Sequence, residues 1–205
     1  MFTGIISDIG IIEEIRYSES NDVLLKISLP KDKITRKPTA LKIGCSIACN
    51  GICLTLISKK TIADKIFFSF AASQETIDKT NISQWKLHDA INIEFALRAA
   101  DELGGHLVLG HVDCVTKVLE ITKIKDSHRI LFAIPAGFKK FLSTKGSVCL
   151  NGVSLTINEV QDKFFAINLI EHSWNNTSFN KVRVGDTINL EVDMIARYLD
   201  RLLKK

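Results

Sequence analysis

Two stretches of this chain read almost alike and differ where reactive side chains stand. Residues 46–57 and 147–158 both carry Asn-Gly, then an apolar residue, then Cys or Ser, then Leu-Thr. Cys53 in the first stretch therefore matches Ser154 in the second. A thiol and a hydroxyl differ in nucleophilicity and in proton affinity. The pattern predicts two similar small-molecule pockets with different chemical tasks.

One histidine occurs in only one half of the repeat. His111 falls where the first half has Ile5. Because imidazole titrates nearest to neutral pH, we interpret His111 as the leading candidate for proton transfer. The alternative is a structural histidine, satisfied inside the core or at a loop.

Cys53, Thr55 and Thr156 also have two interpretations each. Cys53 is a candidate reactive group or a small buried apolar residue. Thr55 and Thr156 lie two residues after Cys53 and Ser154, so on a strand each shares a face with its reactive partner. Both threonines either hydrogen-bond a ligand or satisfy backbone groups in the core.

The repeat extends over nearly the whole chain. Matching blocks keep their order while the loops between them change length, as expected of duplicated domains. The repeat predicts a first domain at 1–106, a second at 107–193 and an unrepeated segment at 194–205. The further matching blocks are 4–6 with 110–112, 29–30 with 134–135, and 89–94 with 186–191.

Most segments carry strand signals. Runs such as 23–29, 65–70 and 163–169 are β-branched or aromatic, and Asn50-Gly51 has the chemistry of a tight turn. Each half offers about six short strands, which predicts an all-β fold of two small barrels or sandwiches. A nucleotide-binding parallel sheet is disfavoured, because the chain lacks βαβ alternation and a Gly-x-Gly-x-x-Gly motif.

At the end of the chain the spacing of apolar residues changes from that of a strand to that of a helix. From Met194 onward, apolar residues recur at helical spacing and predict one amphipathic helix. A helix of about eleven residues is marginal alone and must bury its apolar stripe. The repeat has no counterpart for it, so we expect it to associate with other copies of the chain rather than with its own barrel. The stripe consists of Ile195, Tyr198, Leu199, Leu202 and Leu203.

Composition narrows the class of protein. The net charge is +4, but the lysines are scattered, which disfavours nucleic-acid binding. The five cysteines form no Cys-x-x-Cys pair and have no histidine at finger-like spacing, so we expect no metal site. The start of the chain lacks a charged leader with a long apolar core, so we expect a cytosolic protein without a membrane span.

Three sequence blocks together resemble the riboflavin synthase family. They are the opening Met-Phe-Thr-Gly-Ile-Ile, the paired Asn-Gly-x-[Cys/Ser]-Leu-Thr blocks, and Gly104-Gly105-His106 followed by Gly110-His111-Val112. The resemblance implies two six-stranded antiparallel Greek-key barrels and a C-terminal helix that forms homotrimers. It implies that two molecules of 6,7-dimethyl-8-ribityllumazine yield riboflavin and 5-amino-6-(ribitylamino)uracil by four-carbon transfer, without cofactor or metal.

The resemblance also implies a site shared between the first barrel of one subunit and the second barrel of its neighbour. Ser46 and Asp193 would lie near the reacting rings, although Asp193 has an alternative role as a helix cap. The residues implied to reach across the subunit boundary to the substrate are Gly4, Ile5, Ile6 and Lys145. Lys145 has the alternative of being an ordinary solvated lysine.

The remaining site residues are carried over from the family by position. The first-barrel contacts are Cys53, Leu54, Thr55, Ala71, Ala72, Ser73, Gln74, Glu75 and Thr76. The second-barrel contacts are Gly110, His111, Val112, Ser154, Leu155, Thr156, Asn168, Leu169, Ile170, Glu171, His172 and Ser173.

The chain departs from the family pattern at two places. Glu171 stands where the family usually has proline, which we expect to loosen the edge around the second pocket. Phe95 replaces a common arginine. Besides the synthase, two alternatives stay open: a lumazine- or flavin-binding antenna protein without turnover, and a flavin-using oxidoreductase barrel. Fold analogy alone does not separate them.

Overall fold

The strands form two closed barrels. The computed structural model describes residues 1–18, 22–32, 34–35 and 40–204. Each barrel has six antiparallel strands, in the order β1-β2-β5-β4-β3-β6 and β10-β11-β8-β7-β12-β9. The prediction of two six-stranded antiparallel barrels with a C-terminal helix is therefore confirmed.

The first barrel contains β1 (Asp8–Tyr17), β2 (Val23–Pro30), β3 (Ser46–Cys49), β4 (Ile52–Ile62), β5 (Lys65–Ala72) and β6 (Ala90–Phe95), with helix α1 (Gln74–Lys79) and a 3-10 turn (Ile82–Gln84) between the last two strands. The second contains β7 (Cys114–Ile124), β8 (Ser127–Ala133), β9 (Ser147–Leu150), β10 (Val153–Val160), β11 (Phe164–Ile170) and β12 (Thr187–Val192), with helix α2 (Glu171–Asn175) and 3-10 turns at Lys139–Phe141 and Ser178–Lys181. Helix α3 (Met194–Leu203) follows, and Lys205 lies outside the described residues.

Alternating apolar residues fill the interior of each barrel. Phe68 and Phe70 are fully buried in the first barrel, as Phe132 and Phe165 are in the second. Register shifts fall at equivalent places in the two halves. The shift between Ile12 and Glu14 in β1 matches the one between Val118 and Glu120 in β7. The shift between Leu56 and Ser58 in β4 matches the one between Ile157 and Glu159 in β10. Such bulges bend strands enough to close a small barrel.

The two barrels meet where their Asn-Gly turns touch. A side chain on Gly51 would come within 2.6 Å of the Gly152 backbone, so only glycine allows the turns to touch. The Asn92 side chain donates to the Asn151 carbonyl at 2.8 Å, and Asn189 donates to the Asn50 carbonyl at 2.9 Å. These buried, reciprocated bonds fix the orientation of one barrel against the other.

Helix α3 leaves its apolar stripe exposed. Its N-terminus is capped by Asp193, whose Oδ1 accepts from the Ile195 backbone N–H at 2.9 Å. Ion pairs hold its polar side: Arg197 with Asp113 and Asp200 with Lys140. In the described part of the chain no residue of α3 is buried. The same part contains no helix long and apolar enough to cross a membrane.

Candidate functional site

The first barrel opens between β4 and β5. Strand β4 pairs with β3 as far as Thr55, opposite Ser46, but it pairs with β5 only from Leu56 and Phe70 onward. The segments 53–55 and 71–72 therefore diverge and leave a wedge between them. Cys53 is half-buried and Thr55 is exposed along one side of this first wedge.

The second barrel opens in the same way between β10 and β11. Strand β10 pairs with β9 as far as Thr156, opposite Ser147, and with β11 from Ile157 and Ile167 onward. Segments 154–156 and 168–170 border this second wedge. The predicted contact residues on β4, β5, β10 and β11 thus lie at the borders of two equivalent openings, although no bound molecule tests their roles.

Residues 110–112 contact both barrels: the Gly110 N–H donates to Glu191 of the second barrel, and the rest of the segment lies against the first. Their expected contact with substrate in the second barrel stays a prediction. The Gly110 carbonyl accepts from the Cys53 N–H at 2.9 Å, and Val112 packs against the first core. Just before this segment, Val108 pairs with Phe2, and both pack between Ala48 of the first barrel and Cys149 of the second.

Residues 4–6 cross in the other direction, from the first barrel to the second. The Gly4 carbonyl accepts from the Ser154 N–H at 2.8 Å. Ile6 is half-buried and packs against the apolar core of the second barrel. This packing lies within one chain, and the expectation that Ile6 reaches substrate across a subunit boundary stays a prediction. Ile5 is exposed beside it, and its contact with substrate stays a prediction.

Glycine is required at the tip of both crossing segments. Gly4 and Gly110 have φ of +76° and +77°. A Cβ at Gly4 would lie 2.5 Å from the Ser154 Cβ, and one at Gly110 would lie 2.6 Å from the Cys53 Cβ. Strain and a backbone clash therefore both exclude a side chain at these positions.

Ser154 has a histidine partner that we did not predict as a site residue. His106 Nδ1 lies 2.7 Å from Ser154 Oγ, and Gly105 makes room because a Cβ there would come within 2.9 Å of that oxygen. Burial lowers the pKa of His106, and the negative charge of Asp193 opposes this shift. A neutral imidazole can exchange a proton with the serine hydroxyl. His106 stands in the Gly104-Gly105-His106 block that carries part of the family resemblance, and this block is the sequence signal that marks it.

Three further predicted site residues differ in exposure and in backbone geometry. His111 is exposed next to the first wedge, and its role in proton transfer stays a prediction. Lys145 is exposed with φ of +69°, where its repeat partner Gly44 has φ of +89°. Asp193 caps α3, as the alternative interpretation expected, and its charge also acts on His106.

Helix α2 closes one end of the second wedge. Glu171, its first residue, adds a hydrogen bond at this edge instead of loosening the edge as expected. The Glu171 N–H donates to the Asp126 carbonyl at 3.1 Å, a bond that proline could not make. Behind it, the His128 ring stacks on Trp174 with a centroid separation of 3.8 Å. The His128 Nδ1 lies 3.8 Å from Glu171 Oε2.

Phe95, the second departure, belongs to the core. It is buried and meets Phe68 edge to face at 6.5 Å. All five cysteines are free thiols. Among the described residues no group of three His, Cys, Asp or Glu side chains is placed to hold a metal ion.

Comparisons with known proteins agree with this duplication. A family model described as lumazine binding domain matches residues 3–96 and again 109–193. The riboflavin synthase of Brucella abortus (strain 2308) is 38% identical, covering 98% of both chains. That of Photobacterium phosphoreum is 38% identical over 99% of this chain and 89% of the relative. That of Schizosaccharomyces pombe (strain 972 / ATCC 24843) is 34% identical over 100% and 94%.

Solved structures show the same fold. LumP complexed with riboflavin superposes with a TM-score of 0.80 at 24% identity, covering 94% of this chain and 99% of that one. LumP complexed with 6,7-dimethyl-8-(1'-D-ribityl) lumazine has a TM-score of 0.78 at 23% identity and the same coverage. At this level of identity the likeness extends to the fold.

Proposed function

This chain belongs to the riboflavin synthase family, and we propose that it converts two molecules of 6,7-dimethyl-8-ribityllumazine into riboflavin and 5-amino-6-(ribitylamino)uracil. It is an enzyme of the transferase class, since a four-carbon unit passes from one lumazine to the other in the last step of riboflavin biosynthesis. No cofactor or metal is needed in this proposal.

One observation carries the proposal: two wedges of the same construction hold different reactive groups. The first presents the Cys53 thiol, and the second presents the Ser154 hydroxyl bonded to His106. Two identical substrate molecules with unequal roles require this arrangement, because one must give up carbon and the other must accept it. A carrier of one ligand has no use for reactive groups in both halves.

Strand edges suit the recognition of a flat heterocycle. Ala71 and Ala72 pair with β2 on one side, and their other edge faces the first wedge. Asn168 and Leu169 pair with β8 and likewise face the second wedge. The free N–H and C=O groups of such edges match the donor and acceptor pattern of a pyrimidinedione.

The chemistry can then rest on positioning and proton transfer. The reaction needs a carbanion equivalent from the lumazine C7 methyl group, and the conjugated pyrimidinedione can hold that negative charge. Orienting two rings face to face is worth about 7–11 kcal/mol of barrier. In the second wedge, neutral His106 can take a proton from Ser154 as its oxygen adds to a ring, and return it later.

We further propose a homotrimer with sites shared between subunits. Ile195, Tyr198 and Leu199 are 61%, 58% and 51% exposed, a stripe that a helix this short cannot leave in water at no cost. The stripe would pack against copies of itself and bring the first barrel of one subunit beside the second barrel of the next. We also propose a cytosolic location, which the five free thiols favour.

The activity test uses one substrate. Purified protein given only 6,7-dimethyl-8-ribityllumazine should form riboflavin and the uracil product in equal amounts, as followed by chromatography with absorbance detection. Stoichiometric binding without riboflavin formation would instead support the antenna function that the LumP fold also allows. The unreacted lumazine bound by Ser154→Ala serves as a control for binding without turnover.

A further inference from the structure

Two buried glutamates hold the crossing segments. Glu94, at 6% exposure, lies near the end of β6, and its carboxylate accepts from the Thr3 N–H at 2.6 Å, the Thr3 hydroxyl at 2.7 Å and the Gly4 N–H at 2.9 Å. Glu191, at 2% exposure, lies at the equivalent place on β12. It accepts from the Leu109 N–H at 2.7 Å and the Gly110 N–H at 2.9 Å.

Gly4 and Gly110 each form one backbone hydrogen bond to a glutamate and another to the opposite barrel. The positive φ of Gly4 turns its N–H toward Glu94, while its carbonyl accepts from Ser154 in the other barrel. Gly110 does the same between Glu191 and Cys53. A continuous path of hydrogen bonds therefore runs from a carboxylate in one barrel to the backbone of a reactive residue in the other.

The carboxylates suit a positioning role. Burial raises the pKa of Glu94 and of Glu191, and the backbone N–H donors oppose this by stabilising the carboxylate. Charge-assisted bonds of this kind are shorter and stronger than neutral ones. A glutamine in either place would keep the volume but turn a donor toward one of the N–H groups, so the segment would lose part of its anchor.

We propose that Glu94 and Glu191 are positioning residues that act crosswise: Glu94 in the first barrel shapes the second wedge, and Glu191 in the second barrel shapes the first. The proposal rests on the proposed function in that both wedges are taken as ligand pockets. It makes a prediction that a merely local structural role would not make, because each substitution should act on the barrel that does not contain it.

Amide hydrogen exchange read by mass spectrometry tests this without ligand. Glu191→Gln should speed exchange in the peptide containing Cys53 by about tenfold, with the peptide containing Ser154 unchanged, and Glu94→Gln should do the reverse. Thr3→Val removes one bond to Glu94 and should produce a smaller change at Ser154 alone. The matched control is Glu13→Gln on the outer wall of β1, where Glu13 binds Ser28 and Lys65; neither peptide should change.

Riboflavin as a probe completes the test. In the unmodified chain it should slow exchange at both 71–76 and 168–173; if it slows neither, the proposed function fails before any variant is made. In Glu191→Gln, riboflavin should protect 71–76 only at about tenfold higher concentration than in the unmodified chain, while the concentration that protects 168–173 stays the same. Faster exchange in the substituted residue's own barrel, equal changes in both, or crossed exchange with unchanged riboflavin protection would each overturn the proposal.

Discussion

His106 Nδ1 lies 2.7 Å from Ser154 Oγ although 48 residues separate the two in sequence. The pair is half-buried beside the second wedge, and the first wedge has Cys53 at the position of Ser154. If this pair moves protons, His106→Gln should lower kcat by about 10²–10⁴-fold while changing substrate affinity little. Steady-state kinetics with the lumazine substrate, combined with binding titrations, measures both quantities.

The matched control for that substitution is His88→Gln. His88 is exposed at the turn before β6, away from both wedges, so its loss should leave kcat within about twofold. An effect of His106→Gln confined to KM would contradict a role in proton transfer.

The pH dependence follows from the lowered pKa of His106. Burial keeps its imidazole neutral below the ordinary value of 6.5, so the acid limb of the kcat/KM profile, which reports the free enzyme, should lie below that pH. The unfolded chain has the ordinary pKa and binds more protons in mild acid. This histidine therefore lowers the free energy of unfolding as the pH falls through 6.5, until the folded form also takes up a proton.

Two measurements check this. The pH profile of kcat/KM for the unmodified chain gives the acid limb, and urea unfolding at several pH values gives the stability. His106→Gln should flatten the part of the stability curve below pH 6.5 that this residue causes. An acid limb at or above the ordinary histidine value would show that a different group controls the rate.

Strand pattern and duplication were enough to predict both barrels and α3. In β-branched and aromatic runs such as 23–29 and 163–169 most of the apolar side chains are buried in a barrel, and this strand composition reads directly from the residues. The crossing of residues 110–112, and the packing of Ile6 on the second core, were not predictable in this way. The repeat shows that 4–6 and 110–112 are equivalent, but equivalence does not say which barrel each segment contacts.

The His106–Ser154 pair was not predicted, for a related reason. Contacts of long sequence separation depend on tertiary packing, and His106 precedes the second barrel in a segment with no strand pattern. His111 drew attention because it lies inside a matching block, whereas His106 lies outside every such block. The Gly104-Gly105-His106 block was the available signal, and only the fold shows that Ser154 is the partner of this histidine.

Gly110→Ala should disrupt the first wedge. A Cβ there meets both the Cys53 side chain and its backbone N at 2.6–2.9 Å, and the φ of +77° strains any other residue. We expect the free energy of unfolding to fall by roughly 3 kcal/mol and activity to be lost. Gly137→Ala is the matched control, because Gly137 has φ of +83° with open space around its Cβ, so only strain of about 1 kcal/mol applies. Equal losses in the two variants, measured by chemical denaturation, would show that contact with Cys53 is unimportant.

Replacing one leucine on the exposed stripe of α3 should separate the subunits. Leu202 is 78% exposed, so Leu202→Asp disturbs little packing within its own chain, and a buried charge at a subunit interface is costly. We expect sedimentation velocity to show monomers in place of trimers, with the activity reduced at least about tenfold because the shared site is incomplete. Val184→Asp is the matched control, because Val184 is an apolar residue 61% exposed before β12, at the end of that strand opposite to α3, and its replacement should leave both properties unchanged. Full activity in a monomeric Leu202→Asp variant would show that each chain carries a complete site by itself.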